Sequence, residues 1–253
     1  MVMQHNRILS NKNAIITGAA SGIGKATVKV FAENGANVWA FARKPDEEFE
    51  RYLQELASEN RCWIKPVYVD LICEEELKRA FMVIKKENLP IDCLVNNAGA
   101  SYDALLPMIS KSKALDLFQI NFFAHVQLTQ YVSRIMTRQK QGSIVFTGSY
   151  LGIDGNRGQM IYSATKAAVH GMTKSLSKEL IDSGIRVNAV APGVVDTKLL
   201  QSMSPSEYNQ AVKKNIMHRA ADPEEIANMI MVLASDLSSY VTGQIIQVDG
   251  GMN

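Results

Sequence analysis

The sequence has few of the features that mark secreted, disulfide-bonded or membrane-bound proteins. Its three cysteines, Cys62, Cys73 and Cys93, are an odd number without paired or metal-ligand spacing. We therefore expect free thiols in a reducing compartment and no structural disulfide. No uncharged apolar run approaches the roughly 18 residues of a membrane span, and the first residues contain no apolar signal core. These absences predict a cytoplasmic protein without a membrane partner.

Aromatic residues are scarce, and neither sign of charge dominates. Phe, Trp and Tyr make up 7% of the chain, which argues against an aromatic-rich β-sandwich. The 27 Lys and Arg residues are interspersed with 25 Asp and Glu residues, without the basic stripe that is typical of nucleic-acid-binding proteins. The four histidines have no paired spacing, so we expect no metal site.

Short apolar runs do occur, and they alternate with helical patterns along the whole chain. The predicted strands cover residues 14–17, 36–42, 64–69, 91–95, 143–147, 185–190 and 245–248, and the predicted helices cover 22–34, 74–87, 111–138, 161–182 and 223–234. The strands are nearly all apolar, as in strands that are buried on both faces. The sequence therefore predicts a single α/β domain over residues 1–253, with a doubly wound, seven-stranded parallel sheet and helices on both faces.

Three glycines follow the first predicted strand and open the first predicted helix. Gly18, Gly22 and Gly24 are spaced like the glycines of a dinucleotide-binding turn, with Ser21 and Ile23 among them. Such glycines allow a tight turn and a close approach of the backbone to a pyrophosphate, which the helix N-terminus attracts. An ordinary strand-to-helix turn also uses glycine, but the position in the first strand–helix connection favours cofactor binding.

The end of the second predicted strand indicates which dinucleotide is bound. NAD-binding proteins usually place a carboxylate there, which accepts a hydrogen bond from the ribose 2′-OH. This chain has Ala42 followed by Arg43 and Lys44, and a guanidinium binds the 2′-phosphate of NADP through charge-assisted hydrogen bonds. The sequence predicts NADP(H) as the cofactor; the alternative is that both cations only solvate a loop.

Two further segments that follow strands are assigned to the cofactor. Asp70 and Leu71 follow the third predicted strand, and the Asp70 carboxylate is expected to accept from the adenine amino group unless it caps the next helix. Asn97, Ala98 and Gly99 follow the fourth predicted strand. Small and amide-bearing residues there let the chain pass close to the cofactor, and they tie the loop by side-chain hydrogen bonds.

A tyrosine and a lysine four residues apart lie on one face of the helix predicted over 161–182. The phenol of Tyr162 ordinarily has a pKa of about 10. We expect the Lys166 ammonium, together with the cationic nicotinamide of the oxidised complex, to lower that pKa, so that the phenol exchanges protons near neutral pH. Ser149 follows the fifth predicted strand, at the edge where such sheets bind ligands, and its hydroxyl is expected to hold the reacting oxygen. Together the three residues predict a proton-transfer site.

Taken in order along the chain, these motifs resemble those of the short-chain dehydrogenase/reductase family, which has a Rossmann fold. The matching segments are 17–24, 96–99, 121, 149, 162–166, 192–193 and 248–251. The resemblance implies a catalytic tetrad in which Asn121 holds a water that links Lys166 to solvent, beside Ser149 and Tyr162. It also implies that Lys166 binds the nicotinamide ribose, and that the carboxamide is bound by the segment that contains Pro192, Gly193, Val195 and Thr197.

Within the family, the end of the chain is most similar to the bacterial 3-oxoacyl-[acyl-carrier-protein] reductases of fatty-acid synthesis. This resemblance implies a homotetramer that reduces a 3-oxoacyl-[acyl-carrier-protein] and has a basic patch beside the site, with four candidates: Arg138, Lys140, Lys174 and Lys178. The alternative is a dehydrogenase or reductase of another ketone, sugar, polyol or steroid-like alcohol. A non-catalytic nucleotide-binding protein is disfavoured because the serine, the tyrosine and the lysine are all present.

A long stretch at about 197–219 has no clear strand and starts beside the expected nicotinamide site. Its pattern predicts one or two short amphipathic helices, with Ser204 as an N-cap and Glu207 three residues later. We expect a mobile lid that closes over the substrate. Apolar residues such as Leu199, Leu200 and Met203 favour an acyl chain over a free sugar. The alternative is that they complete a subunit interface, as the apolar faces of 111–138, 161–182 and 245–252 are expected to do.

Overall fold

A computed structural model of the chain describes residues 7–197, 200 and 205–252. Its strands are β1 (Asn13–Thr17), β2 (Asn37–Ala42), β3 (Ile64–Tyr68), β4 (Cys93–Asn96), β5 (Gly142–Thr147), β6 (Ile185–Pro192) and β7 (Ile245–Val248). They form one seven-stranded parallel sheet in the order β3-β2-β1-β4-β5-β6-β7. The order and the parallel pairing confirm the predicted fold class.

Helices cover both faces of this sheet. They are α1 (Gly22–Glu33), α2 (Glu47–Asn60), α3 (Glu74–Lys86), α4 (Lys111–Phe118), α5 (Ala124–Gln139), α6 (Met160–Leu180), α7 (Pro205–Val212) and α8 (Pro223–Ala234). Neighbouring residues of β1 point into different apolar clusters, as expected for strands buried on both sides. Ile16 packs with α1, α2 and α8, whereas Ile15 packs with α3, α5 and α6.

The sequence prediction has no element between β2 and β3, and there it is wrong because α2 fills that connection. The helix begins after Asp46, whose carboxylate accepts a hydrogen bond from the Phe49 backbone N–H at 2.8 Å. Only Phe49, Leu53 and Leu56 are buried, and the rest of α2 is mostly charged or polar. The apolar stripe is narrow, which explains why its period is hard to see in the sequence.

The helix predicted over 111–138 is interrupted in the structure. A π-helical segment, Gln119–Phe123, separates α4 from α5. A π turn holds more residues than an α turn, so it changes which side chains face inwards, and such turns are frequent at functional sites. Asn121 lies in this segment and is buried.

The strand order reverses between β1 and β4, and this reversal determines where a ligand can bind. The chain passes from β1 to β2 and β3 on one side, and then returns to β4, β5, β6 and β7 on the other. The helices after β1 and β4 therefore leave the sheet in opposite directions and open a crevice at the carboxyl ends of the strands. Doubly wound sheets bind their ligands in this crevice.

Candidate active site

A cavity of about 420 Å³ opens at the carboxyl edge of the sheet. Most of the residues that the sequence predicts for cofactor binding and catalysis line it: Gly18, Ser21, Gly22, Ile23, Asn97, Ala98, Gly99, Ser149, Tyr162, Lys166, Pro192, Gly193, Val195 and Thr197. The lining also includes residues that the sequence prediction missed: Ala100, Ser101, Thr147 and Gly148. Segments far apart in the chain meet here because β1, β4, β5 and β6 end at the same edge.

The glycine turn forms one wall of the cavity. Gly18 and Gly22 have φ angles of +69° and +52°, in the left-handed region that favours glycine. A Cβ atom at Gly24 would collide with the Gly18 carbonyl oxygen, so only glycine lets α1 pack this close to the turn. Ser21, the N-cap of α1, makes no side-chain capping hydrogen bond. The N-terminus of α1 therefore meets the cavity without a side-chain cap, and such a terminus attracts phosphate.

A threonine that the sequence prediction missed joins the glycine turn to the opposite wall. The Thr17 hydroxyl accepts hydrogen bonds from the backbone N–H groups of Asn97 and Ala98, at 2.9 and 3.0 Å, and donates to the Val95 carbonyl at 3.3 Å. The Asn97 side chain donates back to the Thr17 carbonyl at 3.1 Å. These four hydrogen bonds confirm that the loop after β4 is tied by side chains, and they hold it against the end of β1.

Asn121 ties the same loop from its other side. Its side-chain oxygen accepts a hydrogen bond from the Ala100 N–H at 2.9 Å, and its amide nitrogen donates to the Ala100 carbonyl at 3.0 Å. The same nitrogen lies 3.0 Å from the Thr165 hydroxyl on α6. Asn121 is fully buried and does not line the cavity. Its observed contacts are structural, and the water-holding role that the family implies stays a prediction.

Ser149, Tyr162 and Lys166 meet at the inner end of the cavity. Ser149 and Tyr162 share a side-chain hydrogen bond. The Lys166 ammonium nitrogen donates to the Thr147 carbonyl at 2.8 Å and lies 5.7 Å from the centroid of the Tyr162 ring. Lys166 is 3% exposed, and this burial lowers its pKa to about 8. The lysine therefore gives up a proton more readily than a lysine in water does.

The part of the expected lowering of the Tyr162 pKa that depends on Lys166 is not found in this structure. Burial raises the pKa of the Tyr162 phenol, since burial disfavours its charged form, and this outweighs the opposing hydrogen bond with Ser149. The Lys166 ammonium is directed at the Thr147 carbonyl. The phenol is therefore held in its protonated form, which is the form that can donate a proton.

Gly24 packs against the Gly18 carbonyl oxygen and does not line the cavity, and three further predicted cofactor residues lie outside it. Arg43 follows β2 directly and is exposed, at the same sheet edge as the glycine turn. Leu71 is buried in the core below α3. The Asp70 carboxylate accepts a hydrogen bond from the Ile72 N–H at 3.2 Å. The alternative of Asp70 as a helix N-cap is wrong, because Cys73 is the N-cap of α3. The three cofactor assignments stay predictions.

A second cavity of about 190 Å³ adjoins the first and shares Ser149 and Tyr162 with it. Its wall is mainly apolar or aromatic, and includes Tyr150, Leu151, Val194, Leu200, Ala211 and Met252. A polar rim that the sequence prediction missed is formed by Asn156, Gln159 and Lys214. Leu200 and α7 confirm that the stretch after β6 reaches this cavity and contains a short helix. Leu199, Met203 and Ser204 lie outside the described residues.

The basic residues expected beside the site lie elsewhere within the chain. Arg138 and Lys140 are at the end of α5, at the amino edge of the sheet and next to the start of β4. Lys174 and Lys178 lie in the later turns of α6, which extends away from Tyr162 by about 1.5 Å per residue. The expectation that these four residues form a basic patch beside the cavity of the same chain is therefore wrong. In the described part of the chain, no group of three or more His, Cys, Asp or Glu side chains could hold a metal ion.

Replacement of Thr17 by valine tests the link between the two walls. Thr17→Val keeps the shape but leaves the N–H groups of Asn97 and Ala98 without their acceptor. An unpaired buried N–H group costs about 1–3 kcal/mol, so we expect the free energy of unfolding to fall by about 2 kcal/mol or more. Urea denaturation followed by circular dichroism measures this loss.

Thr27→Val is the matched control for this measurement. Thr27 is equally buried, but its hydroxyl donates only to the Ile23 carbonyl one turn earlier in α1, at 2.7 Å. This substitution leaves no backbone N–H unpaired, so we expect a change below about 1 kcal/mol. Equal losses in the two variants would contradict the special role of Thr17.

Known proteins match the chain in sequence and in structure over nearly its whole length. The family model described as Enoyl-(Acyl carrier protein) reductase matches residues 18–253. A 3-oxoacyl-[acyl-carrier-protein] reductase from Thermotoga maritima is 39% identical over 96% of this chain and 98% of its own. A 3alpha-hydroxysteroid dehydrogenase from Mediterraneibacter gnavus is 36% identical over 96% of this chain and 97% of its own. The crystal structure of a putative gluconate dehydrogenase from Agrobacterium tumefaciens has a TM-score of 0.92 at 26% identity and covers 98% of both chains. The chain belongs to the short-chain dehydrogenase/reductase family of oxidoreductases.

Proposed function

We propose that the protein is an NADP(H)-dependent reductase that converts a 3-oxoacyl group on acyl carrier protein into the 3-hydroxyacyl form. The observation that carries the proposal is the position of Ser149 and Tyr162, which line both the larger cavity beside the glycine turn and the smaller apolar cavity next to it. A dinucleotide in the first and an acyl group in the second would meet at these two side chains. The carrier-protein reductase from T. maritima, similar over nearly its whole length, supports this substrate.

The larger cavity fits a dinucleotide at both of its ends. At one end, the glycine turn and the N-terminus of α1, which has no side-chain cap, line the cavity and would hold a pyrophosphate. Arg43 lies exposed at the same edge and supplies a cation for the 2′-phosphate. At the other end, the carboxamide would lie against the segment that contains Pro192, Gly193, Val195 and Thr197. When bound, NADPH supplies the hydride.

The side chains at the junction of the two cavities handle the proton. Tyr162 is held protonated by its burial and donates the phenolic proton to the carbonyl oxygen of the substrate. The Ser149 hydroxyl holds the same oxygen. Lys166, whose pKa is lowered to about 8, replaces the proton on Tyr162 and binds the nicotinamide ribose. Asn121 holds the water that connects Lys166 to solvent.

The apolar wall of the smaller cavity favours an acyl chain over a free sugar. Leu151, Leu200 and Met252 offer hydrocarbon contacts rather than hydrogen bonds for several hydroxyl groups. The segment 197–219 would act as the lid, and its described residues are 197, 200 and 205–219. The same apolar wall suits a steroid-like alcohol, and the similar M. gnavus dehydrogenase makes that the second candidate. Turnover of a 3-oxoacyl carrier-protein substrate and of a 3-ketosteroid, each with NADPH, distinguishes the two candidates.

The assembly that we propose is a homotetramer in the cytoplasm, formed by one single-domain chain. Several large apolar side chains at or near α4 and α5 are more than half exposed: Leu106, Met108, Leu115 and Phe123. We call these four side chains the exposed apolar patch, and large exposed apolar side chains are candidates for an interface between copies. No helix in the described segments is long and apolar enough to cross a membrane.

The first prediction concerns the proton donor. Tyr162→Phe removes the hydroxyl but keeps the ring, so we expect kcat to fall by about 10²–10⁴-fold while the Kd for NADPH changes by less than about threefold. Tyr240→Phe is the control, because Tyr240 is fully exposed and far from the cavities. Wild-type turnover in Tyr162→Phe would refute the assignment.

The second prediction concerns the choice of cofactor. Arg43→Ala removes the cation at the end of β2, and a charge-assisted hydrogen bond contributes about 1.5–3 kcal/mol. We therefore expect the ratio of kcat/KM for NADPH to that for NADH to fall by about 10- to 100-fold. Arg79→Ala removes the same charge from the exposed face of α3 and should leave the ratio unchanged. A wild-type enzyme that prefers NADH would contradict the proposal.

The third prediction concerns the assembly. Light scattering should give four times the 27.9 kDa mass of the chain. Phe123→Glu places a charge in the exposed apolar patch and should lower the mass. Val83→Glu is its control, since Val83 is 63% exposed on α3, away from that patch. A wild-type protein that is monomeric at micromolar concentration would overturn the tetramer.

A further inference from the structure

A buried histidine that the proposed chemistry does not use contacts the wall of the cofactor cavity. His125 lies on α5, one turn after Asn121, and is 1% exposed. Its Nε2 atom lies 2.8 Å from the carbonyl oxygen of Ala98, which lines the cavity. The hydrogen bonds of Asn121 and His125 reach the same loop after β4, at Ala100 and Ala98.

The contact requires a hydrogen on the Nε2 atom of the ring. A carbonyl oxygen only accepts hydrogen bonds, so Nε2 must carry the hydrogen. Burial lowers the pKa of His125 to about 3, and the Lys166 charge and the Ala98 carbonyl act on it in opposite directions. The ring is then neutral, with Nδ1 as an acceptor that has no partner among the described residues. His125 is a fixed donor rather than a proton carrier.

The hydrogen bond holds a peptide that is also held from the other side. The Ala98 N–H donates to the Thr17 hydroxyl at 3.0 Å, while the Ala98 carbonyl accepts from His125. Gly99 follows immediately, and a Cβ atom on it would lie 3.0 Å from the Asn121 side-chain oxygen and 3.7 Å from the Lys166 ammonium nitrogen. Any tilt of the Ala98 peptide would therefore shift the part of the wall that stands beside the lysine.

We propose that His125 is a positioning residue for the dinucleotide: its Nε2–H fixes the Ala98 carbonyl, and thereby the wall formed by Ala98 and Gly99. The inference rests on the proposed dinucleotide site but not on the substrate. Loss of this donor widens or tilts the wall and weakens cofactor binding. The proton donor Tyr162, on α6, stays in place.

Two amide substitutions separate the role of the donor from the volume of the ring. The side-chain nitrogen of glutamine reaches about as far as Nε2 of histidine, whereas that of asparagine reaches only as far as Nδ1. His125→Gln should keep the Kd for NADPH within about threefold of wild type, and His125→Asn should raise it by about tenfold or more. Fluorescence titration of the purified, full-length protein with NADPH, and with NADH, gives the Kd without turnover.

A variant with a general loss of stability is the control for His125→Asn. Val132 is fully buried on the same face of α5, two turns further from the cavity. Val132→Ala should lower the Tm, while the Kd for NADPH stays within about threefold of wild type. In His125→Asn, KM for NADPH should rise with Kd, while kcat changes by less than about threefold.

The outcomes distinguish this inference from the proposed function. Equal Kd values in His125→Asn and wild type, with a lowered Tm, would overturn the positioning role alone. A wild-type protein that binds neither NADPH nor NADH would overturn both. If His125→Asn does not fold, nitrogen-15 NMR of the wild-type histidines decides. The Nε2–H tautomer, with a resonance that shifts when NADPH binds, supports the inference, whereas the Nδ1–H tautomer overturns it.

Discussion

The hydroxyl of Thr17 is the contact on which the geometry of the site depends. The glycine turn and the loop after β4 are separated by most of the first hundred residues, and they meet only because β1 and β4 are neighbours in the sheet. Pairing of the strands brings the two loops to the same edge, but it leaves the loops themselves free. Thr17 fixes the two loops relative to each other, since its hydroxyl accepts hydrogen bonds from the N–H groups of Asn97 and Ala98 and donates one to the Val95 carbonyl. A threonine suits this place because its β-branched side chain also belongs in a strand.

Burial is the second constraint on the site, and it acts on both ionisable groups in the same physical sense. It disfavours the charged form of each, so it raises the pKa of the Tyr162 phenol and lowers that of the Lys166 ammonium to about 8. The phenol stays protonated, while the lysine releases its proton more readily. This arrangement is compatible with the proposed reduction, in which Tyr162 would give a proton to the substrate oxygen and Lys166 would replace it. The Lys166 charge, which the spacing leads us to expect beside Tyr162, does not offset the effect of burial on the Tyr162 pKa.

The parts of the structure that the sequence predicts are those in which one local pattern has one physical meaning. Buried strands are apolar runs in the sequence, and the glycine turn lies at the first strand–helix connection. The four-residue spacing of Tyr162 and Lys166 places both side chains on one helix face. The narrow apolar stripe of α2 and the π turn at Asn121 leave weak local signals.

Other features depend on tertiary contacts that no local pattern contains. Thr17 looks like any strand residue until β4 is placed beside it, and His125 looks like any core histidine until Ala98 is placed against it. The same holds for the pKa of Tyr162, since burial is a property of the folded chain. The polar rim of the smaller cavity is likewise assembled from loops that only the fold brings together.

We expect the dinucleotide to bind at the carboxyl ends of β1 and β4. A third cavity, of about 540 Å³, lies between β3 and α3 and is larger than the two cavities described above. Trp39, Tyr68 and Arg79 are among the residues that line it. Amide hydrogen exchange with and without NADPH compares the two places in one experiment. NADPH should slow exchange in the glycine turn and in the loop of Asn97 to Ala100, with no change along β3 and α3. Protection along β3 and α3, with an unchanged glycine turn, would contradict it.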